Sequence, residues 1–352
     1  MSTRTGDRMI TVENIDPLSD PRWRDVETLP GATLYHSTAW ARVLAQTYGF
    51  PSRYYLAVEG ARVVGGLPGF EVGSAWRGRR FVALPFSDLA APVGAPEAMP
   101  AILAMVVGDA KRQAWRTVEV RGATVQPADF TTVTHNDLYL LPLDQSLCDL
   151  VRGFSDSVRW GRKRALRDGV TAARASSEAA LAEFYRLHQL TRRKLGVPVQ
   201  PWRFFELLWR EFFARDAGFV VQATAAGRVI ASAVFLRHGS RLYYKFSASD
   251  PGALASQPNS LVLWNAIEWA HAAGLTEIDL GKTVRENAGL VRFKRSWGAQ
   301  AVALPHSYFP RVVGVGAESE DSPRLRAVRA VWRHLPLPVT RLVGGLVYRA
   351  LA

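Results

Sequence analysis

The sequence predicts an α+β fold made of two related halves, with a helical insert between them and a basic amphipathic tail. Three observations carry that reading. First, an apolar run, a Gly-containing turn, an arginine and a second apolar run occur at residues 54–70 and again at 219–236. This is the pattern of a β-hairpin, and finding it twice suggests a duplicated domain. Second, the segments after each hairpin alternate short apolar runs with amphipathic helical patterns, as expected of a sheet interrupted by helices. Third, residues 322–352 hold no Asp or Glu but six arginines (324, 326, 329, 333, 341 and 349).

Taken in order, the first half shows an amphipathic helix at 38–48, the hairpin, a strand at 81–84, a helix at about 96–113 and a strand at 117–121. The insert predicts three helices. Residues 157–168 are basic, 178–195 place Leu181, Phe184, Tyr185 and His188 on one face, and 203–214 place Phe205, Leu208, Trp209 and Phe212 at core spacing. After the second hairpin come a turn at His238-Gly239-Ser240 and an aromatic strand at 241–247. A loop follows at 250–258, then a helix to Ala273 with Asn259 as its expected N-cap and Gly274 as its stop. A strand at 276–280, a turn at Gly281, a helix at about 285–297 and a strand near 301–308 complete the half. The expected domains are 1–150, 151–311 (with its helical part at about 155–215) and the tail 312–352. In the tail, Leu325, Val328, Val331, Trp332 and Leu335 share one helical side, the 335–338 Leu-Pro-Leu-Pro run breaks it, and 342–351 forms a second short helix. A cationic amphipathic helix with Trp fits a membrane surface; packing on the body of the protein is the equal alternative.

Composition narrows the function classes. The chain has 352 residues, 48% apolar and 21% charged, so wholesale disorder and collagen-like order are excluded. The only cysteine is Cys148, which excludes an intrachain disulfide and four-cysteine zinc modules. The net charge is +13, and 38 of the 44 basic residues are arginine. Arginine pairs bidentately with oxyanions, so the surplus implies nucleic acid, anionic lipid headgroups or a phosphorylated substrate. The bland alternative is a high-GC genome that places Arg on ordinary solvated faces. Residues 1–20 are polar and lack the apolar core of a signal peptide, and no run of about 18 apolar residues occurs, so a cytoplasmic protein is expected.

No nucleophile elbow, Walker loop or zincin motif is present, and the seven histidines show no metal-ligand spacing. The most informative stretch is 279–299, in which Lys282, Arg285, Arg292, Lys294 and Arg295 lie beside a Gly turn and a helix start. Backbone N–H groups at such a turn, together with added cations, make an anion site.

Phe293-Lys294-Arg295-Ser296-Trp297-Gly298-Ala299 resembles the Phe-Lys-x-x-aromatic-Gly element of the Fem-type peptidyltransferases (FemABX). Tyr35-His36-Ser37-Thr38-Ala39-Trp40, Leu84-Pro85-Phe86-Ser87-Asp88, the 159–169 and 191–198 segments and Asp279-Leu280-Gly281 agree with it in order. The resemblance covers about 30–310 and extends to a bacterial branch of FemAB-like or GNAT-family proteins often tied to exopolysaccharide or protein-sorting loci. It implies two tandem GNAT-like (acyl-CoA N-acyltransferase-type) domains and acyl transfer to an amine, without a tightly bound cofactor or metal. The implied donor is aminoacyl-tRNA, with acetyl-CoA as the GNAT alternative. The implied acceptor is a phosphorylated or lipid-linked envelope or polysaccharide precursor, reached from the inner-membrane surface through the basic tail. An acetyl-CoA-dependent N-acyltransferase of an amino sugar and a non-catalytic membrane-surface scaffold are the alternatives.

By the same resemblance Lys294 meets the acyl or terminal-ribose end of the donor and Arg295 a phosphate. Clustering alone makes Lys282, Arg285 and Arg292 candidates for phosphates. Tyr243 and Lys245 belong to the strand that lines the cleft in this architecture, and strand alternation sends Tyr244 to the opposite face. Asp88 is the nearest carboxylate to the position where some relatives carry a base; a turn-capping role is its alternative. GNAT domains cradle the CoA pyrophosphate with a Gly-rich loop, whereas residues 250–260 here offer one glycine and two prolines. That loop favours a donor anchored elsewhere.

Overall fold

The computed structural model describes residues 9–74, 78–123, 129–310, 330 and 332–350. They form two compact units. The first holds residues up to Thr134 and again from Pro305; the second holds His135–Leu304 and the tail helix.

The first unit contains, in chain order, β1 (Ile10–Ile15), α1 (Trp23–Val26), α2 (Thr38–Tyr48), β2 (Tyr54–Glu59), β3 (Arg62–Leu67), β4 (Phe70–Ser74), β5 (Gly78–Val82), β6 (Val93–Gly94), α3 (Ala98–Arg112), β7 (Thr117–Arg121) and the start of β8 (Thr131–Pro142). The predicted hairpin is β2–β3, extended to the antiparallel sheet β1-β2-β3-β6. Pro68-Gly69 separates β3 from β4, which pairs with β5. Helix α2 starts where Ser37 accepts a hydrogen bond from Trp40 N and stops at left-handed Gly49. Its Trp40 and the neighbouring Trp23, Tyr54 and Tyr55 are fully buried. Gly66 is required at its position, since a Cβ there would lie 2.7 Å from Val26 Cγ1.

The second unit continues β8 and adds α4 (Leu147–Gly153), α5 (Asp156–Arg167), β9 (Thr171–Ala175), α6 (Glu178–Leu195), α7 (Trp202–Glu211), β10 (Gly218–Ala225), β11 (Arg228–His238), β12 (Arg241–Ser249), α8 (Pro258–Ala272), β13 (Glu277–Val284), α9 (Ala288–Ser296), β14 (Gln300–Phe309) and α10 (Leu337–Ala350). The division between units runs inside β8 and β14; the second half of β14 pairs with β7 in the first unit. In the second unit β8 is followed in the sheet by β13-β12-β11-β10-β9. Alternation divides its residues between two cores. Phe219, Val221, Ala233, Phe235 and Leu242 pack with Leu263, Ile267 and Ala270 of α8. Phe246 instead meets His188 of α6 and Phe204 and Phe205 of α7.

Several boundaries differ from expectation. Helix α8 begins two residues early, with Pro258 in its first turn and left-handed Gln257 (φ 55°) as its cap. Asn259, the expected N-cap, instead accepts a hydrogen bond from Ser249 Oγ at 2.8 Å. The loop before it contains a 3-10 turn, Pro251–Ser256, whose cap Asp250 accepts from Gly252 N. Strand β13 runs four residues further than its apolar pattern, and α9 starts only after Asn287 accepts from Leu290 N. The first expected tail helix lies mostly outside the described residues. The second begins earlier, at Leu337, because Pro338 fits a first helical turn, which lacks an N–H partner in any case. It packs beside α6 and the segment after it: a Cβ on Gly344 would sit 2.9 Å from Val199 O, and Thr340 and Tyr348 are buried. Among the described residues no helix is long and apolar enough to cross a membrane, and no His, Cys, Asp and Glu cluster could hold a metal.

Candidate active site

The chemistry-bearing geometry of the second unit lies where β12 and β13 run parallel. They pair only from Arg241–Glu277 to Tyr243–Asp279. Both strands continue, to Ser249 and Val284, while the ladder between them stops. The two edges therefore part, leaving backbone donors and acceptors along a wedge.

A bulge re-aims each strand at this point. On β12, Tyr244 pairs with Phe235 and Phe246 with Val234, so Lys245 is the extra residue of a bulge. Tyr244 accordingly stacks on Phe235 with centroids 5.2 Å apart, on the α8 side, as strand alternation predicted. The bulge then carries Phe246 to the other face. On β13 the register to β8 slips between Asp279 and Lys282. Left-handed Gly281 (φ 77°) makes the bend, and its N–H donates to Asp279 Oδ1 at 2.7 Å.

Lys294 of α9 fastens this second bulge. Its Nζ donates to Gly281 O at 2.7 Å and Lys282 O at 3.1 Å and lies 5.2 Å from the centre of the Tyr139 ring. The residue is 6% exposed. Lys294 thus shapes the parted edge from behind. Lys282 is half-buried on the bulge itself. The other cations of the run are dispersed. Arg285 donates to Asp137 Oδ1 at 2.8 and 3.0 Å, which raises its pKa, and Arg292 and Arg295 are exposed on α9. Tyr243 is buried with the Arg241 guanidinium 5.9 Å from its ring; Arg241 in turn pairs with Glu277.

A groove of about 180 Å³ opens beside the end of β12, between Thr191, Lys194 and Leu195 of α6, Ser247 and Ser249, and Leu254 of the 3-10 turn. Ser249 N donates to Thr191 Oγ1 at 3.2 Å, which ties strand to helix. These α6 residues were visible in sequence only as part of a resembling segment, because nothing local marks a helix C-terminus as a groove wall. Beneath them His188 donates through Nε2 to Gln200 Oε1 (2.9 Å), with burial pushing its pKa down to about 3.

The N-terminus of α8 is covered. Gly161 of α5 packs so closely that a Cβ there would lie 2.6 Å from Ser260 Oγ. Arg162 lies 3.6 Å from the Trp264 ring centre, and burial pulls its pKa down. Pro258 contributes no N–H to the first turn.

Asp88 belongs to the first unit, apart from the other predicted residues. It is half-buried and accepts from Tyr35 Oη at 2.8 Å. Its loop is strained: Leu84 and Phe86 have φ of 56° and 59°, unusual for residues with a side chain. Arg121 holds the loop by donating to Leu84 O (3.0 Å) and Ser87 O (3.2 Å), while its Nε donates to Glu119 at 2.7 Å. Burial works against the Arg121 charge, but the Glu119 carboxylate outweighs it and its pKa is raised. Sequence reading missed Arg121, since its carbonyl partners lie over thirty positions away.

A family model described as an acetyltransferase (GNAT) domain matches residues 152–295, the part of the chain that holds the wedge. FemX, at 15% identity, superposes with a TM-score of 0.66 over 85% of this chain and 97% of its own. Residues 152–295 thus hold a GNAT domain, and the chain shares the fold of FemX. Its α+β architecture is that of two tandem GNAT-like domains, as the sequence predicts. L-PGS from Bacillus licheniformis also matches this GNAT protein (13% identity, 94% of this chain, 99% of the other, TM-score 0.55). So does the C-terminal domain of a protein assigned as a lysylphosphatidylglycerol synthetase from Agrobacterium fabrum (13% identity, 82% and 90%, TM-score 0.54). No curated protein matches it by sequence.

Proposed function

We propose that this GNAT protein is an acyltransferase that moves an aminoacyl or acyl group from an ester or thioester onto an amine of a cell-envelope or polysaccharide precursor. The wedge between β12 and β13 carries this reading: parted edges supply fixed backbone N–H groups where an oxyanion would develop, and a bulge on each side sets their direction. The attacking amine, if an α-amine with reference pKa near 8, is already partly neutral, so positioning dominates over a dedicated base. Lys294 acts by holding the Gly281–Lys282 backbone in its bulged form. Lys194 at the groove is placed to meet an anionic group of a substrate.

The covered α8 N-terminus favours aminoacyl-tRNA over acetyl-CoA. A CoA pyrophosphate needs open backbone donors at that turn; Gly161 against Ser260 and the missing N–H of Pro258 reduce them. The acyl-CoA reading keeps one specific support, the match of 152–295 to an acetyltransferase domain. Titration calorimetry with acetyl-CoA, run beside transfer assays using a mixed charged tRNA pool and lipid-linked amine acceptors, separates the two. Transfer from tRNA ester without saturable CoA binding is the expected result. Micromolar CoA binding with acetyl transfer to an amino sugar would overturn the donor assignment, and no transfer from either donor would leave the scaffold reading.

A further inference from the structure

We propose that one end of the second unit, formed by α5, the Pro251–Ser256 turn and the C-terminal end of α6, is a docking surface for an anionic phospholipid bilayer. Large apolar side chains are exposed there without cover. Trp160 is 55% and Leu166 62% exposed on α5, Leu195 53% at the end of α6, and Leu254 37% on the turn. The elements are neighbours: α5 packs against the turn, and Leu195 and Leu254 line the same groove with Lys194.

The charge beside these residues fits a lipid headgroup layer. Val158, Gly161 and Ala165 turn α5 inward, which leaves Trp160, Lys163 and Arg167 at i, i+3 and i+7 facing outward. Lys163 makes no ion pair among the described residues, and Arg167 approaches Asp168 only at 3.9 Å. Cations flanking exposed Trp and Leu are the makeup of an interfacial helix, since the indole sits at headgroup level and the leucines enter the acyl boundary. A nucleic acid is the other polyanion such a surface would attract. It is disfavoured because bases stack on aromatic rings, and three of the four apolar residues are leucines.

This surface differs from the basic tail, whose described helix is packed on the body. Flotation of the full chain with vesicles of phosphatidylcholine alone, or mixed equally with phosphatidylglycerol, tests it. The protein is expected to float with the mixed vesicles and not with phosphatidylcholine. The Trp160→Ser/Leu166→Ser double variant and the Lys163→Glu/Arg167→Glu double variant should each lower the floated fraction by about fivefold. All four positions are exposed, and unchanged thermal melting confirms that the variants are folded. Failure of the wild type to float, or variants that float like it, would overturn the assignment. Variants that float normally but lose retention of a mixed tRNA pool would move the surface to nucleic acid and overturn it as well.

Discussion

The two units contain the same parallel strand pair and treat it in opposite ways. In the second, β12 and β13 part after Tyr243 and Asp279, and a lysine from α9 holds the resulting bulge. In the first, β5 and β7 pair over Arg80–Val82 and Thr117–Glu119, and the contact then continues. Ala83 N donates to Glu119 O, and Ala90 N donates to Arg121 O after a short excursion of the chain. The strained 84–88 loop fills the place of a wedge, and Arg121 straps it down. A duplicated frame therefore survives as a backbone pattern while one copy keeps the opening. The matched GNAT domain falls on that copy.

Substitutions that break or sharpen this contrast rank by the number of buried groups they strand. Arg121→Ala has the largest expected effect. It removes the Arg121 hydrogen bonds to Glu119 and to two carbonyls, at a cost of about 3–5 kcal/mol, read as a lowered urea midpoint. Lys294→Met is next, at about 1–3 kcal/mol, because Gly281 O and Lys282 O lose a charged donor. Amide exchange across 281–284 should speed up in that variant, and unchanged exchange would show that the bulge does not need the ammonium. Gly161→Ala should cost about 1 kcal/mol, the low end for overpacking, since the Ser260 hydroxyl it meets is able to rotate. Its sharper readout is acetyl-CoA binding: weakening would show that the covered helix start does hold the nucleotide.

A pH slope is a test of a different kind. His188 titrates at about 3 when folded and near 6.5 when unfolded, so the unfolded chain binds the extra proton between those values. Stability from this residue is complete above pH 6.5 and falls as pH drops toward 3, by at most about 1.4 kcal/mol per unit. His188→Gln should flatten the loss of thermal stability between pH 6.5 and 4 relative to wild type. An unchanged slope would place the acid sensitivity elsewhere.

The sequence by itself determined the elements whose signals are local. Helix α2 at 38–48, α6 from Glu178 to Leu195, both hairpins and β7 follow from local periodicity and turn signals. The duplicated α+β plan was legible for the same reason. Tertiary structure decided what those residues do. Five cations close in sequence read as one anion site, yet the fold buries Lys294 against backbone carbonyls, pairs Arg285 after β13 with Asp137 and leaves Arg292 and Arg295 of α9 in solvent. A parted strand pair, a helix start covered by Gly161 and a loop strapped by Arg121 are contacts between distant positions. Spacing along a chain carries the period of one element, but not which unpaired edge or carbonyl another element will meet.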